Sequence, residues 1–237
     1  MITSTMSNPM EETWTDYYQQ VHASTTTWLD YSNPQLQGQT FGIALESAGS
    51  VTGKRCLDVG CGRGPLSLAL SALSASEVVG IEIIAETIEA CRAKHSHVRW
   101  EVGSPNDVQF CRSLGRFDVI FMIEVLQYLD QKQAINNLWS TLNPGGRIVL
   151  IVPNKDNAIV QKTMARFGGS YCPPNPGDLP DLFSDLPDLE CWAYRCMDFQ
   201  PDQRIVPYAV SPWTTNTNLG THPNRLSIVA RKRDVTS

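Results

Sequence analysis

Hydrophobic positions along this chain follow two periods that alternate with one another. Phe41, Ala44, Leu45 and Ala48 fall at i, i+3, i+4 and i+7, which predicts a helix ended by Gly49. Residues 55–59 form a short apolar run, Leu66, Leu70 and Leu73 return to helical spacing, and EVVGIE at 77–82 reads as a second strand. Ile84, Ile88 and Cys91 mark the next helix, 98–102 a third strand, and about 105–114 a further helix. FDVIFMI at 117–123 is the fourth strand. Ile135, Leu138, Trp139 and Leu142 give a helix before the turn Asn143-Pro144-Gly145-Gly146, and RIVLIV at 147–152 is the fifth strand.

β-rich runs separated by helical patterns imply crossover connections and a parallel sheet with helices on both faces, hence an α/β fold. Beyond Pro153 the pattern predicts a helix near 156–167, a loop over 171–187 containing PPNPGDLP, and strands near 190–197 and at 226–231. Pro201, Pro207, Pro212 and Pro223 punctuate the connection between these last strands, which is too long for an idle loop and is a candidate lid. The expected organisation is an N-terminal helical cap over 1–50, belonging to the same domain as 51–237, with 170–190 and 198–224 as loop or lid segments.

Composition narrows the classes. A chain of 237 residues with 42% hydrophobic content can bury a full core as one domain. Its net charge of −5 gives no general attraction to nucleic acid or anionic membranes, and Arg231-Lys232-Arg233 is a short solvated run. The 7 cysteines are scattered, without a CxxC pair or histidines at zinc spacing, so they read as free thiols, and no metal is expected. Cys56, Cys91 and Cys111 sit where a small hydrophobe would serve, which suits a reducing compartment. No leader pattern or membrane-length apolar run occurs, so a cytoplasmic, soluble protein is expected.

Candidate chemistry centres on LDVGCGRGP at 57–65, between the first strand and the following helix. Glycines there let a ligand lie against bare backbone, and the helix beyond offers unpaired N–H groups. The dinucleotide pattern G-x-G-x-x-G needs its third glycine at position 65, which is proline; the third glycine is Gly64. Asp58 ahead of Gly60 would repel a pyrophosphate and suits a cationic ligand. No Gly-Lys-Ser/Thr follows, so the phosphate-loop reading fails.

With its Asp58-x-Gly60-x-Gly62-x-Gly64 motif, the chain resembles the class I S-adenosylmethionine-dependent methyltransferases of small-molecule type over roughly residues 50–155. The resemblance implies a Rossmann-like, mostly parallel sheet of seven strands with an antiparallel last strand, and S-adenosyl-L-methionine as cofactor. It assigns the cofactor to Asp58, Gly60, Cys61, Gly62 and Gly64, with Glu82 and Ile83 at the end of the second strand for the ribose hydroxyls. The turn after the third strand would meet adenine. The family often has an aspartate directly after Gly103, where this chain has Ser104, which leaves Ser104, Asn106 and Asp107 as alternatives. IEVLQYLD resembles the family segment E-V-L-E-H-L, which puts Ile123 and Glu124 by the methionine part and Tyr128 towards the substrate.

Methyl transfer needs alignment and exclusion of water more than a base, so no catalytic residue is assigned; His22 and His222 are the candidates. No N-P-P-Y/F follows the fourth strand, no Pro-Cys nucleophile occurs, and no basic, aromatic-interleaved patch points to RNA. The expected substrate is a small, partly apolar molecule, such as a specialised metabolite, methylated at N or O. Tyr17, Tyr18, His22, Trp28, Tyr128 and Trp213 are its candidate contacts, with Trp192 a further aromatic. The alternatives are a nicotinamide-dependent oxidoreductase on a similar sheet and a non-catalytic protein that keeps the cofactor.

Overall fold

The computed structural model describes residues 34–198, 209–218, 220 and 222–234. Helix α1 (Pro34–Ala48) precedes an alternation of β1 (Arg55–Val59), α2 (Pro65–Ala72), β2 (Glu77–Glu82), α3 (Ala85–Lys94), β3 (Arg99–Val102), α4 (Val108–Ser113), β4 (Phe117–Ile123), α5 (Gln131–Ser140) and β5 (Leu142–Pro153). Then follow α6 (Ala158–Phe167), α7 (Leu179–Phe183), β6 (Leu189–Asp198), β7 (Ala209–Val210) and β8 (Arg225–Lys232). The strands form one sheet in the order β3-β2-β1-β4-β5-β8-β6-β7. β1 to β5 are mutually parallel, while β8 runs antiparallel between β5 and β6.

Alternation along each strand explains the layers. In β1, Leu57 and Val59 face the core cluster made with α4, α5 and α7, whereas Cys56 faces the cluster made with α1, α2 and α3. Both faces are apolar, so the central strands read as continuous hydrophobic runs. Cys56, Cys91 and Cys111 are buried free thiols, as expected of small core residues; Cys61 in the glycine loop is buried as well, and Cys172 and Cys191 are exposed.

Several expected boundaries move. Leu142 closes no helix: α5 ends at Ser140, and Leu142 opens β5 by pairing with Phe117, the register shifting between Phe117 and Val119 across the Asn143–Gly146 turn. The 170–190 segment is not a lid over its length, because it folds α7, whose Leu179, Leu182 and Phe183 are buried in the core. Prolines 173, 174 and 176 masked that short helix in the sequence. Part of 198–224 extends the sheet. β7 pairs with the end of β6, Thr214 bridges Tyr194, and the two-residue β7 raises the strand count to eight. The remainder of that segment, 199–208 with 219 and 221, lies outside the described residues, as does most of the 1–50 cap.

Candidate active site

The strand order reverses between β1 and β4, so ligands are expected outside the carboxyl ends of these strands. The glycine loop sits there. The N–H groups of Gly60 and Cys61 both donate to the Ile81 carbonyl, at 2.8 and 3.0 Å, and Gly64 donates to Cys61 at 2.9 Å. Gly60, Gly62 and Gly64 all have left-handed φ, of +68°, +51° and +82°.

The three glycines have different reasons to be glycine. A Cβ on Gly60 would lie 2.3 Å from Val125, across the strand-order reversal, and one on Gly64 would lie 2.3 Å from the buried Trp100 ring. Those two permit packing. A Cβ on Gly62 would meet nothing within 4 Å, so the bare backbone at Gly62 borders open space that a ligand can fill.

Glu82 closes the loop from the neighbouring strand. One carboxylate oxygen accepts the N–H of Gly62 at 3.2 Å, and the other those of Ile83 at 2.7 Å and Ile84 at 3.2 Å. Burial pushes the Glu82 carboxyl above its usual range, and these N–H groups oppose that push. Asp58 lies beneath the loop, 3% exposed, where Oδ2 accepts a hydrogen bond from Ser67 Oγ at 2.6 Å in the first turn of α2. Burial is the main reason that its carboxyl is pushed up to about 6, with the Glu82 charge adding to the effect. Two carboxylates at one loop, Asp58 buried beneath it and Glu82 half-buried at its lip, disfavour a phosphate and favour a cation. The Cys61 and Cys91 thiols both lie against the Gly62 carbonyl, at 3.7 and 3.6 Å, and burial raises both above the ordinary thiol value.

The turn after β3 is braced from α5. Asn137 donates to the carbonyls of Pro105 and Asn106, and Gln133 donates to that of Asn106. Asp107 caps α4 by accepting the N–H groups of Gln109 and Phe110, while Ser104 Oγ accepts that of Asn106. Asp107 thus has a structural duty, and the exposed Val102 side chain offers an apolar surface at the end of β3.

At the end of β4, Ile123 is 7% exposed and Glu124 takes a left-handed φ of +59°, a conformation that costs a non-glycine residue roughly 1 kcal/mol or more. Its Oε1 accepts Arg225 Nε at 2.5 Å. Arg225, the first residue of β8, escaped the sequence reading. Only the insertion of an antiparallel β8 beside β5 brings it to the carboxyl ends, and nothing local in the sequence signals that. Tyr128 packs against Tyr171, ring centroids 5.5 Å apart, in the cluster with Val160. Trp213 is not at this site: it stacks on the Arg195 guanidinium, 4.6 Å from ring centre. Trp192, half-buried, packs on Phe183 at 5.8 Å, against the core. His222 is exposed beside a cavity of about 350 Å³ lined by Cys196, Asp198 and Val210, and its carbonyl accepts Asn157 Nδ2. Tyr17, Tyr18, His22 and Trp28 lie outside the described residues.

This sheet order, with its glycine loop and the carboxylate at the end of β2, defines a Rossmann-like methyltransferase fold. Residues 56–146 match the family described as methyltransferase domain, and over that span the chain carries an S-adenosylmethionine-dependent methyltransferase domain. A ubiquinone biosynthesis O-methyltransferase of Xanthomonas axonopodis pv. citri is 31% identical over 158 residues, 61% of this chain and 62% of that protein. One from Bordetella bronchiseptica is 30% identical over 119 residues, 48% of this chain and 49% of that one. The chain thus spans about half the length of the curated relatives it matches. Among solved structures, a methyltransferase of Thermotoga maritima, described as a possible histamine N-methyltransferase, superposes with a TM-score of 0.69 at 13% identity, covering 94% of this chain and 100% of that one. The N-methyltransferase NodS from Bradyrhizobium japonicum, in complex with S-adenosyl-L-homocysteine, gives 0.63 at 19% identity, covering 92% and 97%. The cofactor of this family is S-adenosylmethionine, and the open backbone at Gly62 with the Asp58 and Glu82 carboxylates fits its cationic, ribose-bearing structure.

Proposed function

We propose that this chain transfers a methyl group from S-adenosylmethionine to an N or O atom of a small molecule. The observation that carries the reading is the Glu82 carboxylate, held by three backbone N–H groups at the lip of a loop whose central glycine borders open space. Such a carboxylate can accept both hydroxyls of a ribose while staying rigid. The set that would hold the cofactor is the loop 60–64, Glu82 and Ile83, the turn at Ser104 and the end of β4 at Ile123. Asp58 supports the loop from beneath and supplies negative charge.

When bound, S-adenosylmethionine supplies an electrophilic methyl group on a sulfonium. The chain's own work is then orientation. The loop and Glu82 fix the nucleoside on the β1–β2 side, the walls of Val125 and Tyr128 limit water, and the acceptor enters over β4, β5 and β8. The relatives' names support O-methylation, and two of the structural neighbours are named for N-methylation, so both acceptor atoms stay in the proposal. A specialised metabolite is one class of acceptor that suits it.

Calorimetry with S-adenosylhomocysteine and with NAD tests the cofactor. We expect binding of the first only, and NAD binding without it would make the chain an oxidoreductase. Labelled methyl transfer to a panel of phenols and amines tests the activity. Tight S-adenosylhomocysteine binding without any turnover would favour a non-catalytic role.

A further inference from the structure

Glu124 occupies a backbone conformation that glycine adopts freely and other residues adopt under strain. Its surroundings hold it there at every polar group. Its N–H donates to the Ile151 carbonyl at 2.7 Å, its carbonyl accepts Gln127 Nε2 at 2.8 Å, and its carboxylate accepts Arg225 Nε at 2.5 Å. Arg225 is fixed in turn, because its NH1 donates to the Asn224 carbonyl at 3.1 Å, which also accepts the N–H of Asn154. Asn154 and Asn224 are buried, 1% and 3% exposed, and Asn154 Nδ2 donates to the Pro223 carbonyl. Ile151 and Gln127 thus hold the Glu124 backbone, while Arg225, anchored through Asn224 and Asn154, sets the direction of its carboxylate. Strain retained at such anchoring calls for a use of the side chain that glycine could not supply.

Position says what the use is. The groups that would hold the nucleoside lie at the ends of β1, β2 and β3, with Ile123 following at the end of β4, so the cofactor's reactive end faces β4 and the acceptor comes from the β5–β8 side. The Glu124 and Arg225 side chains, 16% and 15% exposed, stand at that border.

We propose that the Glu124 carboxylate receives the hydrogen bond of the acceptor atom's own N–H or O–H, and that Arg225 is a positioning residue that aims this carboxylate. The proposal rests on the methyltransferase reading above and narrows it: the acceptors are amines or hydroxyl compounds, whose protic atom a carboxylate can orient towards the methyl group, and not thioethers or aromatic carbons.

A probe that needs no known acceptor tests it. Sinefungin carries a protonated amino group where the cofactor carries its transferable methyl, so a carboxylate aimed at the reacting position binds it in preference to S-adenosylhomocysteine. By calorimetry we expect the wild type to favour sinefungin by at least about tenfold, the strength of one charge-assisted hydrogen bond. In Glu124→Gln the preference should vanish while affinity for S-adenosylhomocysteine stays within about threefold. Arg225→Gln should lose most of the preference and Arg225→Lys should keep it. If Glu124→Gln binds both ligands equally weakly, the carboxylate holds the amino-acid end of the cofactor and the proposal is overturned. It is overturned as well if the preference is absent from the wild type or survives in Glu124→Gln. Should Glu124→Gln fail to fold, Glu124→Gly removes the carboxylate and suits the backbone angle. A wild type that binds neither ligand refutes the methyltransferase reading itself, which separates the two failures.

Discussion

Asp58→Asn replaces a buried carboxylate by an amide of the same shape, and the pH dependence of its effect tests whether burial sets the charge of this site. Burial moves the carboxyl from 3.8 to about 6. The folded-state value is the higher one, so the folded protein binds the proton more tightly than the unfolded chain. The stabilising contribution of Asp58 is therefore complete below about pH 4 and is lost as pH rises through about 6. The displacement corresponds to about 3 kcal/mol, a large share of a typical stability of about 5–15 kcal/mol. The amide carries no such dependence, and its oxygen can still accept the Ser67 hydroxyl. The variant should therefore gain on the wild type by about 1.5 kcal/mol between pH 5 and pH 8, with little further change above. Urea unfolding of both proteins without ligand, followed by tryptophan fluorescence and far-UV circular dichroism at pH 5, 6.5 and 8, measures the difference. A difference that is constant with pH, or that shrinks as pH rises, would refute the reasoning, because it would mean that the ionised carboxylate is compensated within the protein.

Other substitutions separate packing from binding. Gly64→Ala should cost several kcal/mol, because its Cβ would overlap the Trp100 ring in a left-handed backbone, and a thermal melt within a degree of wild type would contradict that. Gly62→Ala should cost only about 1 kcal/mol yet abolish measurable S-adenosylhomocysteine binding, since its methyl enters the open space beside the loop. Glu82→Ala should weaken S-adenosylhomocysteine by about a hundredfold or more in calorimetry, through lost ribose contacts and a loosened Gly62; unchanged affinity would displace Glu82 from the site. Arg195→Ala should lower the melting temperature far more than Glu46→Gln. The arginine is 5% exposed and serves Ile43, Ser47 and Trp213, whereas the Glu46 side chain is 68% exposed and its ion pair contributes less than about 1 kcal/mol.

The half of the molecule that we propose holds the nucleoside was legible because its signals are local. Gly60, Gly62 and Gly64 must occur together to turn from β1 into α2, and Glu82 ends a strand whose hydrophobic run is unmistakable. The different duties of the three glycines were not legible, since the neighbours that decide them, Val125 and Trp100, are remote in sequence. The acceptor half was harder. Trp213 and Trp192 looked like pocket aromatics, but stacking on Arg195 and packing on Phe183 engage them elsewhere. Arg225 lies in an unremarkable polar stretch, and its place at the site depends on which strands flank β8. Asp107 illustrates a third case: a polar residue in a candidate binding turn whose hydrogen bonds go to capping a helix.

The position of β8 also orders events during synthesis. This strand comes last among the described elements, yet it lies inside the sheet, bonded to β5 on one side and β6 on the other. While β8 is still within the ribosome, β1 to β5 can already assemble with their helices, because each pairs with strands made earlier, whereas β6 has no route onto the sheet. A nascent chain stalled before Arg225 would therefore carry β1 to β5 and their helices already assembled beside an exposed edge at β5. Chaperone capture or proteolysis of arrested chains would concentrate on the other half, and the Arg225–Glu124 contact would be among the last to form.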